Sequence, residues 1–136
     1  MAAEPNGQQR GQRERNPNIE RSAAEISRDH WTRFFDKFSK DHLGAPASVE
    51  IRGTQTGGAH QICRSMPLMG VTYSPKDDPE LVEIALEESP EGANLTHVVK
   101  RPAHVWHLCP DKGREVLELE AEDGTTTVLQ LEGSAA

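Results

Sequence analysis

The chain has 136 residues, enough for one domain and too few for two comfortable ones. Leu, Ile, Val and Phe supply 26 of them, or 19%, and the formal charge is −7. No apolar run approaches the ~20 residues of a helical membrane span, and the chain's two cysteines cannot staple it into a disulfide scaffold. The apolar residues are unevenly placed. Residues 1–25 hold one of the 26, Ile19, and residues 26–136 hold the other 25. That division predicts a disordered polar tail over 1–25 and a single folded domain over 26–136.

The charge divides as well. Residues 1–43 sum to +1, whereas residues 44–136 carry seven basic and fifteen acidic side chains, a net −8. A body of that sign repels phosphate, so neither nucleic acid nor an anionic membrane is an expected partner. The N-terminus lacks a basic segment followed by an apolar core, so no secretory signal is expected. Cys63 and Cys109 are then expected as reduced thiols of a cytoplasmic protein.

In chain order, the first predicted element is an amphipathic helix over about 27–43. Trp31, Phe34, Phe35 and Phe38 recur at i, i+3, i+4 and i+7 and share one face, with Arg33, Asp36, Lys37 and Lys40 on the polar side. Ser27 suits the N-cap, Asp29 the first turn and Gly44 a left-handed C-cap, and Pro46 blocks resumption. The stripe carries four of the chain's six aromatic residues. The sheet that follows therefore needs it as core. Docking of the same four side chains onto a partner is the competing expectation.

From Ser48 the pattern alternates with period two and predicts short antiparallel strands over about 48–132. Val49 and Ile51 mark a first strand, and Ala59–Arg64 returns after a glycine-rich turn. Met66-Pro67-Leu68-Met69-Gly70 is expected to interrupt the ladder before Val71–Ser74, because Pro lacks the donor and Gly tolerates a bulge. Leu81, Val82, Ile84 and Leu86 make the most apolar strand, expected to be central, and Pro102 separates Leu95–Lys100 from Ala103–Cys109. Around Asp123-Gly124, a two-residue loop would oppose Leu117 to Gln130 and mix the faces. A three-residue loop pairs Leu117 with Leu129 and Leu119 with Thr127, keeps one face apolar, and puts Gly124 at the left-handed position. The expected fold is α+β: one N-terminal amphipathic helix packed on a small antiparallel sheet or partly open barrel of six to seven short strands, running as a meander.

Candidate chemistry is sparse. His97, His104, His107 and Cys109 fall within 13 residues. On a strand, His107 and Cys109 share a face while His104 points the other way. The spacing is not that of a standard zinc site, and no nucleophile elbow marks either cysteine. Seven acids between Asp77 and Glu91 occupy turns and alternate strand positions, which reads as a solvated face. Gly57-Gly58 and Gly124 do not precede a helix with phosphate-cradling spacing. No cofactor is expected.

Trp31-Thr-Arg-Phe-Phe-Asp-Lys-Phe-Ser39 followed by Met66-Pro-Leu-Met-Gly-Val71 resembles a bacterial family catalogued as domain of unknown function 5335. Leu95-Thr-His-Val-Val-Lys-Arg-Pro102, Val105-Trp106 and the stretch from Leu117 to Leu129 resemble it too, so the likeness runs from about Ile26 to Leu131. The resemblance implies a small bacterial domain with no assigned activity and no catalytic residues to transfer. Taken together, the leading functional expectation is a non-enzymatic binding or protein-interaction module, with self-association through a sheet edge as one route. The alternative is a small metal-dependent protein or enzyme using His97, His107 and Cys109. An Sm-like RNA-binding barrel is the second alternative, and the acidic body speaks against it.

Overall fold

Ser27 directs its hydroxyl to His30 Nδ1 (3.0 Å) rather than to a backbone N–H, and the first turn winds as a 3₁₀ helix over Arg28–His30. The α-helix proper, α1, spans Trp31–Asp41, so the helix expected over 27–43 is shorter and begins at its first aromatic residue. The computed structural model describes residues 23–53, 58–88, 91–111 and 114–132. Of the expected tail, residues 1–22 lie outside the described residues, while Ala24–Ile26 form a short strand, β1. The other strands are β2 (Pro46–Gly53), β3 (Gly58–Ser74), β4 (Leu81–Glu87), β5 (Asn94–Lys100), β6 (Pro102–Asp111), β7 (Arg114–Ala121) and β8 (Thr126–Leu131).

These eight strands form one antiparallel sheet in the order β1-β6-β7-β8-β2-β3-β4-β5. The sheet is not closed, and β1 and β5 are its terminal strands. Three expectations need correction. Among the described residues the strands number eight rather than six or seven, because β1 adds to β6, with Ile26 opposite Val105. The order is two meanders, β6-β7-β8 and β2-β3-β4-β5, joined where β8 pairs with β2, rather than one. The apolar strand β4 is next to last, since only Val82, Ile84 and Leu86 of its residues are fully buried and one face suffices to bury them.

At Met66–Gly70 the ladder is interrupted while the strand is not: the pairing changes partner after Pro67 and shifts register between Leu68 and Gly70. Strand β3 runs 17 residues, pairing with β2 up to Pro67 and with β4 from Leu68. The proline's missing donor thus falls where one ladder ends and the other begins. Ser65, at φ 55°, supplies the bend just before it. The C-terminal hairpin has the three-residue register: Leu117 faces Leu129, Leu119 faces Thr127, and Gly124 sits at φ 90°.

The inner face of the sheet and α1 share one core. Trp31 and Phe35 are each 1% exposed, and they pack with Phe38, Val49, Leu68, Ile84, Leu117, Leu119 and Leu129. Each large side chain buried this completely contributes roughly 1.5–3 kcal/mol of transfer free energy. Trp31, Phe35 and Phe38 therefore belong to the intramolecular core, while Phe34 is half-buried at its margin. Ser39 ties the helix to β3, its hydroxyl accepting from Val71 N (2.8 Å) and donating to Val71 O (3.1 Å). Beyond the helix, Gly44, at φ 85°, turns the chain so that its N–H meets Leu68 O. Among the described residues no helix is long and apolar enough to cross a membrane.

Candidate functional site at the C-terminal end of the helix

The inward rows of the sheet locate the site. Across β7, β8 and β2, Leu119, Thr127 and Ile51 form one row, and Leu117, Leu129 and Val49 the next. The last row is Glu115, Leu131 and Ala47, so a carboxylate stands where the two rows before it carry leucine. On the neighbouring strand β6, His107 lies opposite Leu117, and Cys109 is one inward step further on. The ladder shifts register between Leu108 and Asp111, which frees this end of the hairpin from strict pairing.

Helix α1 ends against the same corner. Phe34, Phe38 and His42 recur every four residues, which continues the aromatic stripe to the residue that caps the helix. The His42 ring lies 4.6 Å from that of Phe38, and the His107 ring packs edge-on against Phe34 at 5.4 Å and Phe38 at 6.2 Å. The aromatic rings thus wall one side of a polar cluster.

Within the cluster, Glu115 holds two imidazoles, one on each carboxylate oxygen. His107 Nε2 lies 2.7 Å from Oε1 and His42 Nε2 lies 3.1 Å from Oε2. Cys109 Sγ approaches the same His107 nitrogen at 3.9 Å. One ligand atom each from His107, Cys109 and Glu115 lie within 4.8 Å of one another. His107 and Glu115 are half-buried and Cys109 is exposed, so the cluster opens to solvent on the cysteine side. Partial burial of the sulfur and the Glu115 carboxylate together push the Cys109 thiol above its ordinary range.

The other candidate histidine goes elsewhere. His97 lies on the inward face of β5, opposite Ile84, and its Nε2 meets Thr127 Oγ1 at 3.3 Å. Burial lowers its basicity below that of a free imidazole. His104, on the outer face of β6, stacks on Trp106 at 5.3 Å and pairs with Glu25 at 2.8 Å. Cys63 is buried, its sulfhydryl directed at Ala47 O (3.9 Å).

Two members of the cluster, His42 and Glu115, were not among the candidates drawn from the sequence. The signal for each was present. His42 follows Phe38 by four residues, and the inward parity of Leu119 and Leu117 extends to Glu115.

A second polar cluster sits at the opposite end of α1. Arg28 donates to Glu80 Oε1 (2.6 Å), Tyr73 Oη (3.3 Å) and Pro102 O (3.0 Å), and its guanidinium lies 4.3 Å from the Trp31 ring centroid. Tyr73 also donates to Glu80 (2.8 Å), and Trp31 Nε1 donates to Ile26 O (2.8 Å). Arg28 thereby ties the start of the helix to β3, the segment before β4, and the first residue of β6.

A family model described as a family of unknown function, DUF5335, matches residues 22–136, and the chain belongs to that family. A curated relative, an uncharacterized protein of Aquifex aeolicus (strain VF5), is 26% identical over 106 residues, covering 78% of this chain and 88% of the relative. No solved structure matches the chain.

Proposed function

We propose that this member of the DUF5335 family is a non-enzymatic binding module whose ligand site is the cluster of His42, His107, Cys109 and Glu115. One observation carries the reading: Glu115 and Cys109 meet the same nitrogen of His107. A nucleophilic relay needs the two ring nitrogens to divide the work, one taking the thiol proton and the other held by the carboxylate. A hydrogen bond from Nε2–H to Glu115 leaves no lone pair on that nitrogen to accept a proton from Cys109. The raised thiol pKa points the same way, since a catalytic cysteine is activated by a depressed one. Donors that converge on one point in this manner suit holding a ligand rather than passing a proton.

Alkylation of Cys109 tests this. In chelator-treated protein, with the modified residue located by mass spectrometry, iodoacetamide should react slowly at neutral pH and faster only as pH rises through the thiol range. Rapid alkylation at neutral pH, abolished by His107→Gln, would show an activated nucleophile and sink the reading.

A further inference from the structure

We infer that the same cluster is a binding site for one divalent metal ion of the zinc class, held by His107 Nε2, Cys109 Sγ and a Glu115 oxygen. The inference rests on the binding-module reading and names its ligand. Imidazole, thiolate and carboxylate are the three ligand types that such ions take from proteins. Three atoms of these types already lie within 4.8 Å of one another. Around a tetrahedral zinc, N and O donors stand about 3.3 Å apart and a sulfur about 3.6 Å from either. The observed 2.7 Å from His107 Nε2 to Glu115 is about 0.6 Å short of those separations and the 3.9 Å to Cys109 about 0.3 Å long, while all three atoms lie within 4.8 Å of one another, so side-chain shifts of up to about an ångström separate the two arrangements.

His42 acts from outside this set. It holds the second oxygen of Glu115 at 3.1 Å, which orients the carboxylate as outer partners of metal sites do. Phe34 and Phe38 pack against the two imidazoles and limit their rotation. The exposed sulfur lies on the open side, where an ion enters from solvent. Three protein ligands leave a fourth tetrahedral position to water or to a donor from a partner. The protons balance simply. The Cys109 thiol releases its one proton to solvent, and the neutral His107 ring changes tautomer, its single proton passing by way of solvent from Nε2 to Nδ1, so that the metal replaces the Nε2–H hydrogen bond to Glu115.

The test is cobalt(II) and zinc(II) titration of the full, tag-free, chelator-stripped chain. Cobalt should bind at one ion per chain with the near-ultraviolet charge-transfer band of a thiolate ligand, and zinc should displace it. Cys109→Ser should abolish the band, and Glu115→Gln should cut affinity at least a hundredfold. His42→Gln should keep the band while weakening binding by roughly 10–100-fold, as expected for an outer partner. Cys63→Ser and His97→Gln should bind as the unsubstituted chain does, and far-ultraviolet circular dichroism should show every variant folded. Absence of a saturable band in the unsubstituted chain, or a band that survives Cys109→Ser, overturns the proposal. Slow Cys109 alkylation without metal uptake would remove the metal and leave the binding-module reading standing. Fast alkylation with the cobalt band intact would remove the non-enzymatic reading and leave the metal site, and fast alkylation with no band would remove both.

Discussion

The two ends of α1 are both polar, both anchored on a glutamate and both flanked by aromatic rings, yet they differ in chemistry. At the N-terminal end a permanent cation, Arg28, meets a carboxylate, a phenol, a carbonyl and a π-face. Each group there has a complementary partner, and a guanidinium neither loses its proton near neutral pH nor ligates metals. At the C-terminal end the same kind of carboxylate is shared by two imidazoles, with a thiol beside them. Every member of that cluster is a metal ligand by type, and the strand ladder alongside is irregular. One end is built to fasten the helix. The other has donors to spare.

The comparison is broken most directly by substituting one aromatic residue at each end. Trp31→Ala removes a side chain that is 1% exposed together with its bond to Ile26 O and the surface beneath Arg28. It should cost about 3–5 kcal/mol, a large share of the ~5–15 kcal/mol typical of a domain. Phe34→Ala, at the half-buried margin beside His107, should cost about half as much or less. Urea unfolding of the two variants decides it. Equal losses would mean that the C-terminal end is as structural as the N-terminal one.

Much of the architecture was legible in the residue pattern, for reasons that are local. The helix face follows from the spacing of Trp31, Phe34, Phe35 and Phe38. The last hairpin follows from the need to keep Leu117, Leu119 and Leu129 on one side. The pairings of β1 with β6 and of β8 with β2 were not legible, because both join strands far apart in the chain. Arg28, Tyr73 and Glu80 meet across 45 and 52 residues and carried no sequence signal beyond their types. In the candidate site, His107 and Cys109 were legible through strand parity. Their separation from His97 was not, because it depends on β5 and β6 standing apart in the sheet order.

That separation yields the next effect in size. His97 sits inside the sheet with Thr127, and burial places its folded pKa below the ordinary 6.5. On acidification the unfolded chain takes up the proton first, so protonation favours unfolding. Stability should be full above about pH 6.5, fall as pH drops below it, and level off once pH passes the folded value. One proton sets a limiting slope of about 1.4 kcal/mol per pH unit. In His97→Gln, which can still bond Thr127, this part of the pH dependence should disappear. Urea midpoints measured between neutral pH and pH 5 read it. An unchanged profile in the variant would mean that His97 does not carry the acid sensitivity.

The smallest expected effect bears most on the comparison. Cys109 is exposed, and its sulfur meets His107 at 3.9 Å, the outer limit for a hydrogen bond to sulfur. Cys109→Ser should therefore change the stability of the metal-free chain by less than about 0.5 kcal/mol, as surface substitutions usually do. Added zinc should raise the thermal midpoint of the unsubstituted chain, because a ligand that binds the folded state stabilises it by mass action. Zinc should leave the midpoint of Cys109→Ser where it was. The pairing of a negligible cost without metal and a complete loss of the zinc response is what separates a ligand from a fastening. A substitution at the Arg28 end has no route to that pattern, since its groups act on the fold whether or not metal is present. Should Cys109→Ser instead destabilise the metal-free chain by a kilocalorie or more, the thiol would be holding β6 and β7 together, and the two ends of the helix would be doing the same job.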